Sequence, residues 1–381
     1  MLSAMCVNNL YTNDVSMSIS SETISSETIG SSKTKSSSLR SIIPSSEVIR
    51  RARRSLHLKS VGTILLFAAS YTTLVPLDVH WSLRILAAVC LVHAVLATAT
   101  GIMHDANHGA FSRLRGVNHV VSYSADLLGA SSWLWRMNHN VAHHHWTNVV
   151  GQDDDINLAP FARLAPGQRL RPWHRYQHLY LWFLYGFLTL KWMFVGDFLS
   201  WYKHRKDLQA RSKHFWRDTA IMLIGKLAHC TWALFIPMIF HPVHMVLLTY
   251  LLCSWAVGFA LAVIFQLAHC VEGARFVLGD PGRLVGDSAM EHQLATTMDF
   301  DNHPRVLRWY AAWLLGGLDH QVEHHLAPRL PHTIYRALAA NVDSVCSTMG
   351  WVRNRHRSLP AAIAAHARHL YAMGRAPIAQ A

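Results

Sequence analysis

The sequence predicts an all-α integral membrane protein: four transmembrane helices in two hairpins, with a cytosolic helical cap that carries a histidine-rich site. Three observations predict it. Hydrophobic residues make up 51% of the 381 positions and charged residues only 15%, against roughly 25% charged in ordinary soluble domains. Four segments, Val61 to Leu77, Trp81 to Met103, Thr219 to Phe240 and Met245 to Ala268, approach the roughly 20 apolar residues that span a bilayer. Finally, 27 histidines outnumber the 22 Asp and Glu, and they gather at the ends of those segments.

Taken in order, residues 1–40 hold 16 Ser or Thr and the repeat SSETISSETIG, with too little apolar material to repay the entropy of ordering. Residues 1–50 are therefore expected to be a disordered tail and 51–381 the membrane domain. Acids at Asp14, Glu22 and Glu27 precede the first arginine, Arg40, so no cleaved address is expected. The first hairpin turns at Asp78 to His80 and the second at His241 to His244, and neither turn contains Lys or Arg. Residues 105–218 carry fourteen Lys or Arg, residues 1–60 eight and residues 269–381 eleven. The positive-inside rule then puts both termini and the central loop in the cytosol, leaving open whether the membrane is a bacterial inner membrane or endoplasmic reticulum. A fifth apolar stretch, His178 to Lys203, contains Lys191 and Asp197 and is read as lying in the interface. Ser122 to Met137 is read as a second amphipathic surface segment, a cap over the bundle. The six cysteines form no C-x-x-C pair, which fits reduced structural thiols rather than disulfides, zinc or iron-sulfur ligation.

The stretch GIMHDANHGA ends the second span and sets His104 and His108 four residues apart, on one helix face. HNVAHHHWTNVVGQDDDI repeats the spacing with His139 and His143 and adds His144. His269 closes the fourth span, and GGLDHQVEHHLAPRLPH brings His320, His324 and His325. Imidazoles with few carboxylates and no thiolates suit iron, copper, nickel or zinc and disfavour calcium or magnesium. Six to eight exceed one tetrahedral zinc site, so two metals are expected. The far N–H of a ligand imidazole needs a partner; Asp105, Asp153, Asp154, Asp155 and Glu323 stand nearby, with at least one of the three consecutive aspartates expected to be a solvated loop acid. Isolated His57, His80, His174, His204 and His241 are read as polar tips reaching water.

The boxes H-D-x-x-H, H-x-x-x-H-H and Q-x-x-H-H, in this order and split by a membrane hairpin, resemble those of the integral-membrane fatty acid desaturases over about residues 60–345. The resemblance implies a non-haem di-iron centre that uses O2 to remove two hydrogens from neighbouring methylenes of an acyl chain. It implies metal-ligand roles for His104, His108, His139, His143, His144, His324 and His325, with His269 as an additional ligand. Gln321, where many relatives have His, resembles the front-end branch, which places a double bond between an existing one and the carboxyl end; Gln321, Asp105, Asp153, Asp155 and Glu323 are candidates for further ligands or for partners of the ligand rings. His145 and His320 stay outside the set. With no H-P-G-G haem motif, electrons are expected from a separate ferredoxin or cytochrome b5, steered by a formal charge of +13 whose main cause is the positive-inside topology.

The expected substrate is a lipid or acyl-CoA, with no nucleic-acid partner. Trp133, Trp135, Trp146, Phe265 and Trp313 are candidate tunnel residues, although aromatics at such positions more often serve plain packing. Lys226, an ionisable group within a span, is a functional candidate by default, or snorkels to the surface. The boxes leave open an acyl or sphingolipid hydroxylase or acetylenase. A histidine-rich metal transporter is the rival from another class, and it would place polar residues along the spans rather than at their ends.

Overall fold

The computed structural model describes residues 42–278 and 284–376. Of the tail expected over 1–50, residues 1–41 lie outside the described residues, and Ser46 already starts a helix. Among the described residues the fold is all helical apart from two isolated bridges, Val149 with Val277 and Asp299 with Arg355.

Helix α1 (Ser46–Leu74) runs antiparallel to α2 (Trp81–Asn107). On α1, Ser60, Thr63 and Ser70 face inward while Val61, Ile64 and Leu65 are exposed. Small hydroxylated residues let two helices approach closely in lipid, and here Ser60 and Thr63 donate to the carbonyls of Leu56 and Lys59 at 2.8 and 2.9 Å. The same residues dilute the apolar character of α1. Among the described residues, the helices long and apolar enough to cross a membrane by themselves are α2 and two described below, and the expected Val61–Leu77 span within α1 does not join them.

Helices α3 (Pro172–Tyr185) and α4 (Leu188–Ala210) form a pair bent by 75°. Then come α5 (Phe215–Phe240) and α6 (Val243–His269). The bent pair differs from the expected interfacial helix because its break is pressed into the bundle. A Cβ on Gly258 of α6 would lie 2.5 Å from the carbonyl oxygen of Gly186, and Thr189 donates to the Ser254 carbonyl at 2.8 Å. Gly258 lies eleven residues before His269, or about 16 Å at 1.5 Å per residue. Ser122 to Met137 also departs from its expected place: Ser122, Ala125, Asp126, Ser131, Ser132 and Leu134 are all buried, so this segment is part of the core.

The two short turns meet at one end of the bundle. His241 lies 2.8 Å from the Val75 carbonyl and 3.1 Å from Arg84, which also pairs with Asp78. At the opposite end, α2 and α6 bring their C-termini, His104 and His269, toward the same place. A π-helical turn, Thr98–Met103, widens α2 just before His104. Such a turn re-aims the residues that follow it. Gly316 permits it: at φ +58 its Cβ position lies 2.1 Å from the Thr100 carbonyl oxygen, so no larger residue fits against the widened turn.

Candidate metal centre

Eight histidines converge at this end, in overlapping groups. His104, His108, His139 and His324 each offer a ring nitrogen within 4.8 Å of the others; His143, His269 and His325 form a second such group. His144 joins His324 and His325 in a third, which links the first two. The rings of His144 and His325 stack at 4.3 Å, and His144 lies 4.8 Å from His108 and 4.7 Å from His324. All eight residues expected from the sequence are therefore in one place.

Each group is held by backbone geometry and by partners on the outward-facing nitrogens. Asp153 accepts from His143 Nδ1 at 3.1 Å and is itself fixed by the backbone N–H groups of Asn148 and Asp155 at 2.9 and 3.0 Å. His325 Nδ1 donates to Gln293 Oε1 at 2.8 Å, and Gln293 in turn donates to the His144 carbonyl at 2.8 Å. His324 Nδ1 meets the Tyr335 hydroxyl at 3.3 Å, and His269 Nδ1 faces the Thr296 carbonyl at 3.4 Å. Trp135 stacks on His139 at 4.3 Å.

Several atoms that face the cluster have no such partners. His104 Nδ1 and Nε2, His108 Nε2, His144 Nδ1, His324 Nε2, His325 Nε2 and Gln321 Oε1 are buried without a hydrogen bond. A buried polar atom left unpaired costs about 1–3 kcal/mol, so this many at one locus require something to bind. Neutral imidazoles fixed from behind suit late first-row divalent metals, and the residues fit two of them.

The expected carboxylates divide. Asp153 orients His143, and Asp155 lies 3.6 Å from both His139 and His143. Asp105 accepts from the His332 ring at 2.9 Å and backbone N–H at 3.0 Å, with its other oxygen 3.9 Å from His104 Nδ1. Glu323 instead pairs with Arg353 at 2.7 Å, outside every group of candidate ligands. Asp154 is exposed, the solvated loop acid expected among the three. Gln321 places its amide nitrogen 2.9 Å from His269 Nε2, at the second group. His145 is exposed, and His320 faces Asp301 and Glu323. His174, read as an interfacial tip, is buried and meets the Pro160 carbonyl at 2.9 Å.

The supports Gln293, His332, Tyr335 and Arg353 carry no signal of their own in the sequence. His332 closes the quoted GGLDHQVEHHLAPRLPH stretch, but nothing there distinguishes it from a loop histidine. Of the aromatic candidates, Trp135 touches the imidazoles and Phe265 lines a cavity beside His269 and Gln321. Trp133 packs on Phe215 and Trp313 beside Tyr310.

Burial holds His108, His139, His144, His324 and His325 well below the ordinary imidazole range, and neighbouring rings push the same way. His143 opposes them: against the cost of burial, Asp153 and Asp155 raise it to about 9. The sign of the pH dependence follows. Below about pH 6.5 the unfolded chain takes protons that the five depressed rings refuse, so stability falls with acidification. The contribution of His143 runs the other way, fully present below about 6.5 and lost as pH rises through about 9. Five against one, metal-free protein is expected to lose stability from pH 7 to 5, measured by thermal unfolding in detergent; a rise would contradict the neutral state of the cluster.

A helical membrane body with eight imidazoles clustered at one end defines an integral-membrane enzyme of the polyhistidine type. The profile described as Fatty acid desaturase matches residues 80–357, and the chain belongs to that family: it is a membrane fatty acid desaturase, an oxidoreductase. Similar proteins include an sn-1 linoleoyl-lipid 6-desaturase of Arthrospira platensis, 31% identical over 329 residues, which cover 85% of this chain and 87% of that protein. An acyl-lipid (8-3)-desaturase of Physcomitrium patens is 33% identical over 342 residues, 88% of this chain and 69% of the relative. A second sn-1 linoleoyl-lipid 6-desaturase, from Synechocystis, is 30% identical over 331 residues, 86% of this chain and 90% of its own length.

Proposed function

We propose that this desaturase uses two non-haem irons and O2 to introduce a cis double bond between an existing double bond and the carboxyl end of an acyl chain. The single observation that carries the di-iron reading is the pair of imidazole groups joined through His144, His324 and His325, with buried nitrogens of His104, His108, His144, His324 and His325 left unpartnered. His104, His108, His139 and His324 would hold one iron and His143, His269 and His325 the other, with His144 between them and Gln321 beside the second group, its amide nitrogen on His269 and its amide oxygen without a partner. When bound, iron supplies the O2-dependent oxidation that takes two hydrogens from adjacent methylenes. The chain's own residues do the rest: Asp153, Gln293 and Tyr335 fix the ring tautomers, Trp135 shields the first group, and the apolar wall formed by Ile156, Phe265 and Leu318 excludes water beside the second. Regioselectivity then follows from where the acyl chain is held. The 6-desaturase and (8-3)-desaturase names of the relatives support a front-end position and an acyl-lipid substrate.

The proposed topology has four crossings, α1, α2, α5 and α6. Lys59 on α1 reaches His332 beside the metal centre at 2.8 Å, whereas the Leu74 carbonyl, at the other end of α1, meets His241 at the distant turns at 3.2 Å. Thus α1 runs the depth of the bundle. Because α2 ends and α5 begins on the histidine side, the bent α3–α4 pair must enter and return. The distribution of Lys and Arg supports a cytosolic position for that side, where an acidic ferredoxin or cytochrome b5 would dock as electron donor.

A metal transporter would need ligands along the spans. Deep in the spans Lys226 is instead committed to Asp197, and His229 to Tyr250 and the Leu127 carbonyl. The test is to express the chain with each donor, feed mono- and diunsaturated acids, and locate new double bonds by derivatisation and mass spectrometry. Unchanged lipids with every donor, in membranes that contain the iron-loaded protein, would reject the proposal. Asp153→Asn is expected to weaken metal binding about 10- to 100-fold, read by competition with a chelator; unaltered retention would deny Asp153 its orienting role.

A further inference from the structure

Lys226 lies in the interior of α5, about 16 Å from its histidine-side end at 1.5 Å per residue. It neither snorkels nor reaches the surface. Its three N–H donors are all used: the Gly129 carbonyl at 2.7 Å, the Trp192 carbonyl at 3.0 Å and Asp197 Oδ2 at 2.6 Å. Asp197 Oδ2 also accepts from the Ser131 backbone N–H at 2.8 Å. One ammonium thus ties α5 to two separate pieces of backbone, the turn at 129–131 and the π-helical turn Trp192–Gly196 within α4. The turn has no slack of its own: Gly129 sits at φ +90, and a Cβ there would lie 3.0 Å from Met193 Sδ and 3.3 Å from the His229 ring.

Both of those carbonyls belong to residues that line a narrow apolar cavity, whose other walls include Val95 and Ala99 of α2 and Val257 and Leu261 of α6. On α6 the positions 257, 261, 265 and 269 recur every four residues along one face. Val257 and Leu261 border this cavity, and Phe265 and His269 border the one at the metal centre. An apolar stripe therefore leads from the imidazoles to a floor made by Gly129 and Trp192.

We propose that the Lys226–Asp197 ion pair is a positioning device that fixes this floor and so limits the length of acyl chain accepted on the methyl side of the reacting carbons. The inference rests on the desaturase reading above. A carbonyl exposed at the floor would otherwise face hydrocarbon without a donor, and the ammonium supplies donors for two of them while holding both backbones at a set distance. Neither residue touches the reacting atoms.

The experiment uses full-length protein in a host with a working electron donor, fed unsaturated chains of sixteen, eighteen and twenty carbons, with iron content per protein measured in parallel. The double variant Lys226→Met/Asp197→Leu removes both charges and leaves no unpaired ion. It is expected to raise turnover of the longest chain relative to the shortest by about tenfold, the scale on which a pocket discriminates one or two methylenes. Val95→Phe, which leaves the pair intact and fills the cavity from α2, is expected to shift the ratio the opposite way. A merely structural pair would scale all three lengths together, and that parallel loss overturns the proposal. An unshifted ratio in Val95→Phe overturns it as well, even if the double variant fails to accumulate. Failure of the parent chain to make any new double bond, while iron-loaded, would instead strike the desaturase reading beneath it.

Discussion

Replacing His144 by alanine is expected to lower desaturation by more than about a thousandfold, which is about 4 kcal/mol of barrier, and to strip metal from both positions. The reason is its place. His144 Nε2 lies 3.3 Å from His139 Nε2 in the first group, and its ring stacks on His325 of the second. A ring on the rim of one group would cost one metal; this one is shared. The fold should survive, because His144 is half-buried and its Nδ1 has no hydrogen bond to lose. Quantifying iron per protein by mass spectrometry, alongside lipid products, separates the outcomes. Full iron occupancy with normal product would remove His144 from the centre, and loss of the protein from the membrane would show that its role is in folding.

The parts of the site that sequence makes legible are those with local geometry. His104 with His108 and His139 with His143 share a helix face because of four-residue spacing, and that spacing survives even where α2 and the 136–143 segment widen into π-helical turns. Convergence of the boxes follows from parity: two hairpins with tight turns at one end must return their histidines to the other. What sequence hides is support that arrives from far along the chain. Gln293 reaches both His325 and the backbone of His144, 149 residues away, and an isolated glutamine carries no periodic signal. The same limit explains the misplaced segments. Asp197 and Lys191 argue against burial when read alone, but Asp197 finds Lys226 across the bundle, and a satisfied charge no longer holds a helix at the surface. His174 is buried rather than at the surface for the matching reason: the carbonyl that satisfies it, on Pro160, is presented by a loop whose path no local rule gives.

Arg353→Met is expected to destabilise the protein by about 3–5 kcal/mol, the cost of removing one partner from a buried ion pair. Arg353 is nearly inaccessible, with a side chain 6% exposed, and its guanidinium serves three carboxylates. Nε and Nη2 donate to Asp299 Oδ2 at 2.8 and 2.5 Å, Nη2 lies 2.7 Å from Glu323 Oε1, and Nη1 donates to Asp343 at 2.8 Å. Asp299 also accepts from the Val322 backbone at 2.9 Å. The arginine therefore clamps, through Glu323 and the Asp299 that holds the Val322 backbone, the short helix Gln321–Leu326, which presents Gln321, His324 and His325. Without it, Asp299 and Glu323 are two fully buried carboxylates with no cation between them. Burial and the adjacent Asp299 already hold the Glu323 carboxyl well above its ordinary range, with Arg353 pulling it down; in the variant these acids must take up protons or leave the core. Two further substitutions isolate the cause. Arg353→Lys keeps a charge but loses the planar fork, so it should fall between parent and methionine. Adding Glu323→Gln to Arg353→Met should recover part of the loss, a coupling that independent sites would not show. Thermal unfolding in detergent, with iron retention followed in the same samples, reads both effects. If Arg353→Met melts with the parent and keeps its iron, the third box is held by something other than this clamp.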